Sequence, residues 1–214
     1  MLRILSPLTK LFTAKENIAV TSEGIENLGA IGFLESSFVP VYLRDSQVLT
    51  IWEGTTDVLC WDFVRALQTC KNEIDLLGSW CIASFNSASQ SSSMLYDQNM
   101  DFREAMNKLI LIYNKLYPIL VEISEGTSIS KIHEENLREI VMVTCHLIVS
   151  CLLIRIVCWR GTEELLNCFI AWVESPYLIS GELLDFKKQS YAGKLAMLGQ
   201  PNSDQVTNWP RPKF

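Results

Sequence analysis

The chain has 214 residues, 49% of them hydrophobic and 20% charged, with a formal net charge of -6. That length suits one domain or two small ones, and the composition suits an ordinary globular core. The acidic balance argues against nucleic acid as the main partner, since the basic stretches, Lys187-Lys188 and a tail with Arg211 and Lys213, are too sparse to track phosphates.

From the N-terminus, Leu2 to Asn27 reads as a helix, with apolar residues at Leu11, Ile18, Val20 and Ile25 and no proline after Pro7. Arg3, Lys10 and Lys15 with few acids also resemble a transit peptide, but arginine is scarce, and helical spacing favours a helix of the fold. Gly29 and Gly32 break this helix. Residues 33–50, with Pro40 and a brief Val39-Val41-Leu43 alternation, read as irregular. A helix then starts at Thr55 or Thr56 and carries Val58, Leu59, Trp61, Phe63, Val64 and Leu67 as a core stripe.

The serine-rich run from Ser84 to Ser93 reads as a loop or linker. A helix from Asp101 to about Glu122 sets Leu109, Ile112, Leu116 and Ile119 on one face. Gly126 to Ser130 ends it, and Ser130 or a neighbour is placed to cap the next, from about Ile132 to Trp159, which Gly161 stops. Its stretch Ile140 to Ile154 is the most membrane-like, but it is shorter than the ~20 residues of a spanning helix and holds His146. It is expected to be a core helix, with no membrane span. Thr162 to Val173 forms a further helix before Pro176, and Gly181 to Leu198 a last one. The tail with Pro201, Pro210 and Pro212 reads as disordered. The pattern predicts an all-α fold, a helical bundle.

The seven cysteines, Cys60, Cys70, Cys81, Cys145, Cys151, Cys158 and Cys168, form no Cys-x-x-Cys pair, and the only histidines are His133 and His146. No zinc spacing results, so no metal is expected. Several cysteines lie in apolar helical runs, where they act as small hydrophobes, and the usage favours a reducing, intracellular setting.

The chemistry concentrates in Arg44-Asp45-Ser46-Gln47-Val48-Leu49-Thr50-Ile51-Trp52-Glu53-Gly54-Thr55-Thr56. A carboxylate at Glu53 beside Ile51 and Trp52 is expected to be poorly solvated, which would suit it to proton abstraction. The bland alternative is an acid at a helix N-terminus. Gly54 admits close approach to the backbone, and Thr55 and Thr56 are candidates to cap the following helix and to present N–H groups to a ligand. Arg44 and Asp45 read as a local ion pair holding the loop. Gly29 and Gly32 suit either a turn or a close approach to a ligand.

The segment from about Ala19 to Leu67 resembles the C-terminal helical domain of the flavin-dependent acyl-CoA dehydrogenases. The residues that carry the resemblance are Glu26-Asn27-Leu28-Gly29-Ala30-Ile31-Gly32-Phe33, then Arg44-Asp45, then Ile51-Trp52-Glu53-Gly54-Thr55. Tryptophan before the glutamate looks like the branch with the bacterial alkylation-response protein, whose extra C-terminal helices would account for residues 100–192. The resemblance implies that Glu53 is the base that removes the α-proton of a fatty acyl-CoA while a β-hydride passes to FAD. It implies that Trp52, Gly54, Thr55, Thr56 and Asp57 line the flavin, and that Gly29 and Gly32 approach the FAD of a neighbouring subunit in a homo-oligomer.

The chain departs from the family pattern at Glu26 and Leu28, at Ala30 in place of a second glycine, and at Asp57, whose charge would oppose an anionic flavin. The family's N-terminal helical and β-barrel domains are not in this sequence. The expected division is 1–83 as the acyl-CoA dehydrogenase C-terminal-like domain, 84–99 as a serine-rich loop, 100–192 as an additional helical region and 193–214 as a flexible tail. The alternative to an incomplete oxidoreductase is a non-catalytic module, either an oligomerising one that associates with full-length relatives or an acyl-chain binder. The compartment stays open between mitochondrion and cytoplasm.

Overall fold

The computed structural model describes residues 1–91, 99–126 and 129–174, and within them every regular element is helical. Long α1 (Leu2–Asn27) is followed by the single turn α2 (Ala30–Phe33), a 3₁₀ turn (Glu35–Ser37) and α3 (Val39–Leu49). Then come α4 (Thr56–Thr69), α5 (Lys71–Ser91), α6 (Met100–Glu125), the short α7 (Lys131–Glu135), α8 (Leu137–Arg160) and α9 (Glu163–Val173). The all-α bundle read from the hydrophobic pattern is the observed fold.

Side-chain caps start three of these helices. Asn99 accepts from the Phe102 N–H at 2.9 Å, Ser130 from the His133 N–H at 3.3 Å and Thr162 from the Leu165 N–H at 3.5 Å. Such a cap typically contributes about 1 kcal/mol. Gly161, at φ 64, closes α8 in the left-handed conformation that glycine adopts without a Cβ penalty.

Three segments differ from the pattern-based expectation. Residues 33–50 are not irregular. Pro40 sits in the first turn of α3, where its missing N–H has no helical partner to lose. The serine run from Ser84 to Ser91 is not a loop but the C-terminal part of α5. Cys81, Phe85 and Ala88 bury one stripe at i, i+4 and i+7. Ser84 and Ser87 turn their hydroxyls onto the carbonyls of Trp80 and Ala83 at 2.9 and 2.8 Å, so the serines are absorbed within the helix. The third difference is a break at Asn136, which divides the expected 132–159 helix into α7 and α8. Pro176, the helix expected over 181–198 and the tail lie outside the described residues.

One contiguous core joins α1, α4, α5, α6, α8 and α9, from Ile4, Leu8 and Leu11 on α1 through Phe63 and Leu67 on α4 to Leu109 and Leu116 on α6 and Phe169 on α9. Helix α8 is its axis and packs against α1, α4, α5, α6 and α9. By length and composition α8 could cross a membrane, but 61% of its most apolar window is buried within the bundle. Two buried hydroxyls along α8 bond back to their own helix: Thr144 donates to Ile140 O and Ser150 to His146 O, each at 2.7 Å. The Trp172 indole donates to Ser150 Oγ at 3.1 Å.

His146 is buried, edge-on to Phe12 with centroids 5.1 Å apart and beside Trp172 at 5.0 Å. Burial pushes its pKa down from 6.5 to about 4. The unfolded chain therefore binds a proton near pH 6.5 that the folded chain refuses until about pH 4. Stability is fully present above pH 6.5 and falls as the pH drops through that window, by up to about 3 kcal/mol from this group. Melting curves of the parent and His146→Gln between pH 7 and 4.5 check this. The parent should lose more of its Tm on acidification, and parallel losses would remove His146 as the cause.

Candidate functional site

The loop between α3 and α4 carries the residues singled out by the motif. Helix α3 ends at Leu49, and the Ile51 and Trp52 N–H groups both donate to Val48 O, at 3.0 and 3.1 Å. The backbone then turns through two successive positive-φ residues, Glu53 at 56° and Gly54 at 114°. A left-handed non-glycine residue costs about 1 kcal/mol, and a Cβ at Gly54 would lie 3.2 Å from Leu59 Cδ2. The turn is held from outside. Lys10 on α1 donates its Nζ to Trp52 O and to Gly54 O, both at 2.7 Å.

This geometry corrects the expected desolvation of Glu53. Its side chain is exposed, and Ile51 and Trp52 beside it are 58% and 57% exposed. Thr55 occupies the N-cap position of α4 but makes no side-chain capping bond, contrary to the capping expectation, and Thr56 is buried at the start of the helix. Asp57 lies in the first turn of α4, where the helix dipole favours an acid. Arg138 of α8 faces it at 3.4 Å. The charge expected to oppose an anionic flavin therefore has a cation beside it.

The two glycines of the α1–α2 corner have different jobs. Gly29 takes φ 59 with open space where a Cβ would be, so the turn is what requires it. Gly32 is buried, and a Cβ there would fall 2.4 Å from Ile25 O. What approaches Gly32 is the backbone of α1. Arg44 does not form its main pair with Asp45 as expected. It makes a two-pronged pair with Glu35 at 2.8 and 3.0 Å, which ties α3 to the preceding 3₁₀ turn and holds the Glu35 carboxyl below the usual range. Ser46, buried, accepts from Asn17 Nδ2 at 2.8 Å and donates to Tyr42 O at 2.6 Å, fastening α3 to α1.

The corner also displays apolar side chains: Leu28, Ile31, Phe33, Leu34, Phe38 and Tyr42 are all exposed. Val58 and Trp61 on α4, expected in the core, are exposed as well, while Leu59, Phe63, Val64 and Leu67 are buried. Trp61 and Asp57 line a cleft of about 430 Å³ with Arg138, Glu134 and Glu139. An apolar groove of about 210 Å³ lies between α1 and α8, lined by Leu8, Phe12, Cys145, Ile148 and Val149. Burial pushes the Cys60 thiol up to about 12 and that of Cys145 higher, as expected of core cysteines rather than nucleophiles. All seven cysteines are free. Among the described residues no His, Cys, Asp and Glu cluster could hold a metal.

Lys10 and Arg138 are the residues that motif reasoning missed. Lys10 sits 42 and 44 positions before the carbonyls it bonds, and Arg138 is 81 positions after Asp57. No local signal marks either one, because each acts across the fold.

The structure is thus an all-α bundle presenting a carboxylate, a glycine and the exposed Thr55 from a strained inter-helix loop. Residues 2–68 match the family model of the acyl-CoA dehydrogenase C-terminal domain. Over 72 residues the chain is 44% identical to acyl-CoA dehydrogenase family member 11 of Caenorhabditis elegans, an alignment of 34% of this chain and 12% of that protein. It is 35% identical over 80 residues to the human mitochondrial very long-chain specific acyl-CoA dehydrogenase, covering 36% of this chain and 12% of the relative. It is also 35% identical over 75 residues to AidB of Escherichia coli, covering 35% and 14%. The crystal structure of Caenorhabditis elegans ACDH-11 in complex with C11-CoA superposes on 95% of this chain with a TM-score of 0.71 at 22% identity, and the chain covers 34% of that structure. The first third of the chain thus matches an acyl-CoA dehydrogenase C-terminal domain. The fold likeness extends through nearly all of it, while the chain spans about a third of its structural neighbour.

Proposed function

We propose that this chain supplies the C-terminal helical wall of an FAD-dependent oxidoreductase that introduces an α,β double bond into a fatty acyl-CoA thioester. The branch is the one similar to the alkylation-response protein, in keeping with Trp52 before Glu53 and the likeness to AidB. One observation carries the reading: Glu53 is presented, exposed and at positive φ, in a loop inside the segment 2–68 that matches the family.

The residues present fit one side of such a site. Trp52 offers an exposed aromatic face, Gly54 carries the turn beside Glu53, and Thr55 and Asp57 stand at the start of α4, where the first-turn N–H groups lack helical partners. FAD, when bound, would accept the hydrogen leaving Cβ of the substrate as hydride. Glu53 would take the α-proton on a carboxylate oxygen. Its basicity would rise once the remaining walls exclude water, because desolvation disfavours the charged form. Arg138 would keep Asp57 from adding an uncompensated negative charge. The exposed apolar corner at Ile31, Phe33, Leu34 and Phe38 would pack against those walls or a second subunit.

The test is a chimera in which residues 2–68 replace the matching segment of the Caenorhabditis elegans family member 11. It should take up FAD, and acyl-CoA should bleach its flavin colour anaerobically. Glu53→Gln should keep the colour and slow the bleaching by about 10²–10⁴-fold, the usual contribution of a general base. Bleaching at the parent rate in that variant would remove Glu53 as the base.

A second reading, an acyl-chain-binding module without redox chemistry, draws on the apolar groove between α1 and α8. Titration of the chain with acyl-CoA without flavin separates the two. Saturable binding abolished by Ile148→Lys would favour the groove.

A further inference from the structure

We propose that Lys10 is the positioning residue of the Glu53 loop: its ammonium, bonded to the carbonyls on both sides of Glu53, holds that residue in its left-handed conformation. This deepens the reading of Glu53 as the base, and its test is independent of flavin and substrate.

The loop has few other restraints. Glu53 is exposed, Trp52 and Ile51 are exposed, and Thr55 adds no capping bond. Two positive-φ residues in a row are disfavoured for a chain containing one non-glycine, so an isolated peptide of this sequence would leave that conformation. Both bonds from Lys10 are 2.7 Å, the short range of charge-assisted hydrogen bonds. They converge on Trp52 O and Gly54 O, the acceptors that bracket the Glu53 residue. An ammonium can satisfy both at once because its three donors spread from one point.

Lys10 is anchored in turn. It lies in the first half of α1 between Leu8 and Leu11, each 2% exposed in the core, so its stem departs from a fixed backbone. The direction of the base would therefore be set by the helix that also carries the α8 contact, and the loop inherits the rigidity of the bundle.

The experiment uses the whole chain, labelled with ¹⁵N and ¹³C, as parent, Lys10→Met and Lys10→Arg. In the parent, the Lys10 ammonium should give a slowly exchanging NH₃⁺ signal, and the one-bond Cα–Hα coupling of Glu53 should report positive φ. In Lys10→Met that coupling should move toward the value of ordinary negative φ. Hydrogen exchange of the Trp52 amide, which donates to Val48 O, should also rise at least tenfold, with exchange in α6 and α8 unchanged. Lys10→Arg, which keeps the charge and donors, should recover part of the protection. A positive-φ coupling and parent-like exchange in Lys10→Met would overturn the proposal. Should that variant fail to fold, absence of the protected ammonium signal in the parent overturns it equally. Failure of the chimera to use Glu53 as a base would leave these signals intact, so the two readings fall separately.

Discussion

Phe169→Ala should lower the stability of the bundle by about 3–5 kcal/mol, the usual cost of emptying a buried phenylalanine site. Phe169 has no exposed surface and packs against Phe102, with ring centroids 5.3 Å apart. The cavity would open where α9, α6 and α8 meet, since α9 packs on both. The informative part is where the loss is felt. Phe169 belongs to the same contiguous core as Phe63 and Leu67 of α4 and Ile4 of α1. Unfolding is therefore expected to be a single transition, with hydrogen exchange in α1 and α4 accelerating along with that in α9. Urea melts followed by tryptophan fluorescence, with exchange read by mass spectrometry, check both points. Exchange in α4 that stays at the parent rate while α9 opens would show that the first third of the chain is stable apart from the rest. That outcome would favour two units of stability, with α5, which runs unbroken from Lys71 to Ser91, as the link between them.

Gly32→Ala should be the most damaging single-methyl change at the α1–α2 corner, at about 1–3 kcal/mol. The added Cβ would fall 2.4 Å from Ile25 O and 3.0 Å from Leu28 Cβ. Backbone lies at the nearest point, so no side chain can swing away to make room. Helix α2 must lift from α1, and with it the 3₁₀ turn and the Arg44–Glu35 pair that lead into α3. Gly29→Ala offers a contrast. It meets nothing, and only its φ of 59 resists the methyl, for about 1 kcal/mol. Thermal melts of both variants in flavin-free buffer decide the matter. A larger loss at Gly32 than at Gly29 fits internal packing, whereas an unchanged melt at Gly32 would return it to the role of a free approach for a ligand.

Much of the fold was legible. The apolar positions Leu109, Ile112 and Leu116 recur at helical spacing, and all three are buried on one face of α6. Gly161 and Thr162 marked a helix end and a helix start because φ > 0 and an N-cap hydroxyl are local requirements. The serine run has the composition of a loop but the period of a helix. Cys81, Phe85 and Ala88 hold a helical stripe that serine hydroxyls can serve by bonding back to their own helix. Pro40 is a similar case, since a proline that breaks a helix interior is at home in a first turn. Helical spacing points Trp61 and Val58 inward, yet both are exposed, because spacing gives a face and not the partner that covers it.

The candidate site divides along the same line. By itself the sequence determined the all-α class, some helix ends such as Gly161 and Thr162, and the Trp52-Glu53-Gly54-Thr55 motif, because these depend on side-chain period, backbone preference and residues adjacent in the chain. Only the tertiary structure decided that Glu53 stands exposed at positive φ, that Lys10 grips the carbonyls around it, and that Arg138 faces Asp57. Only the tertiary structure showed that Gly32 makes room for α1. These depend on groups far apart in sequence that meet through packing, and the free energy of such meetings belongs to the assembled core rather than to any local stretch of chain.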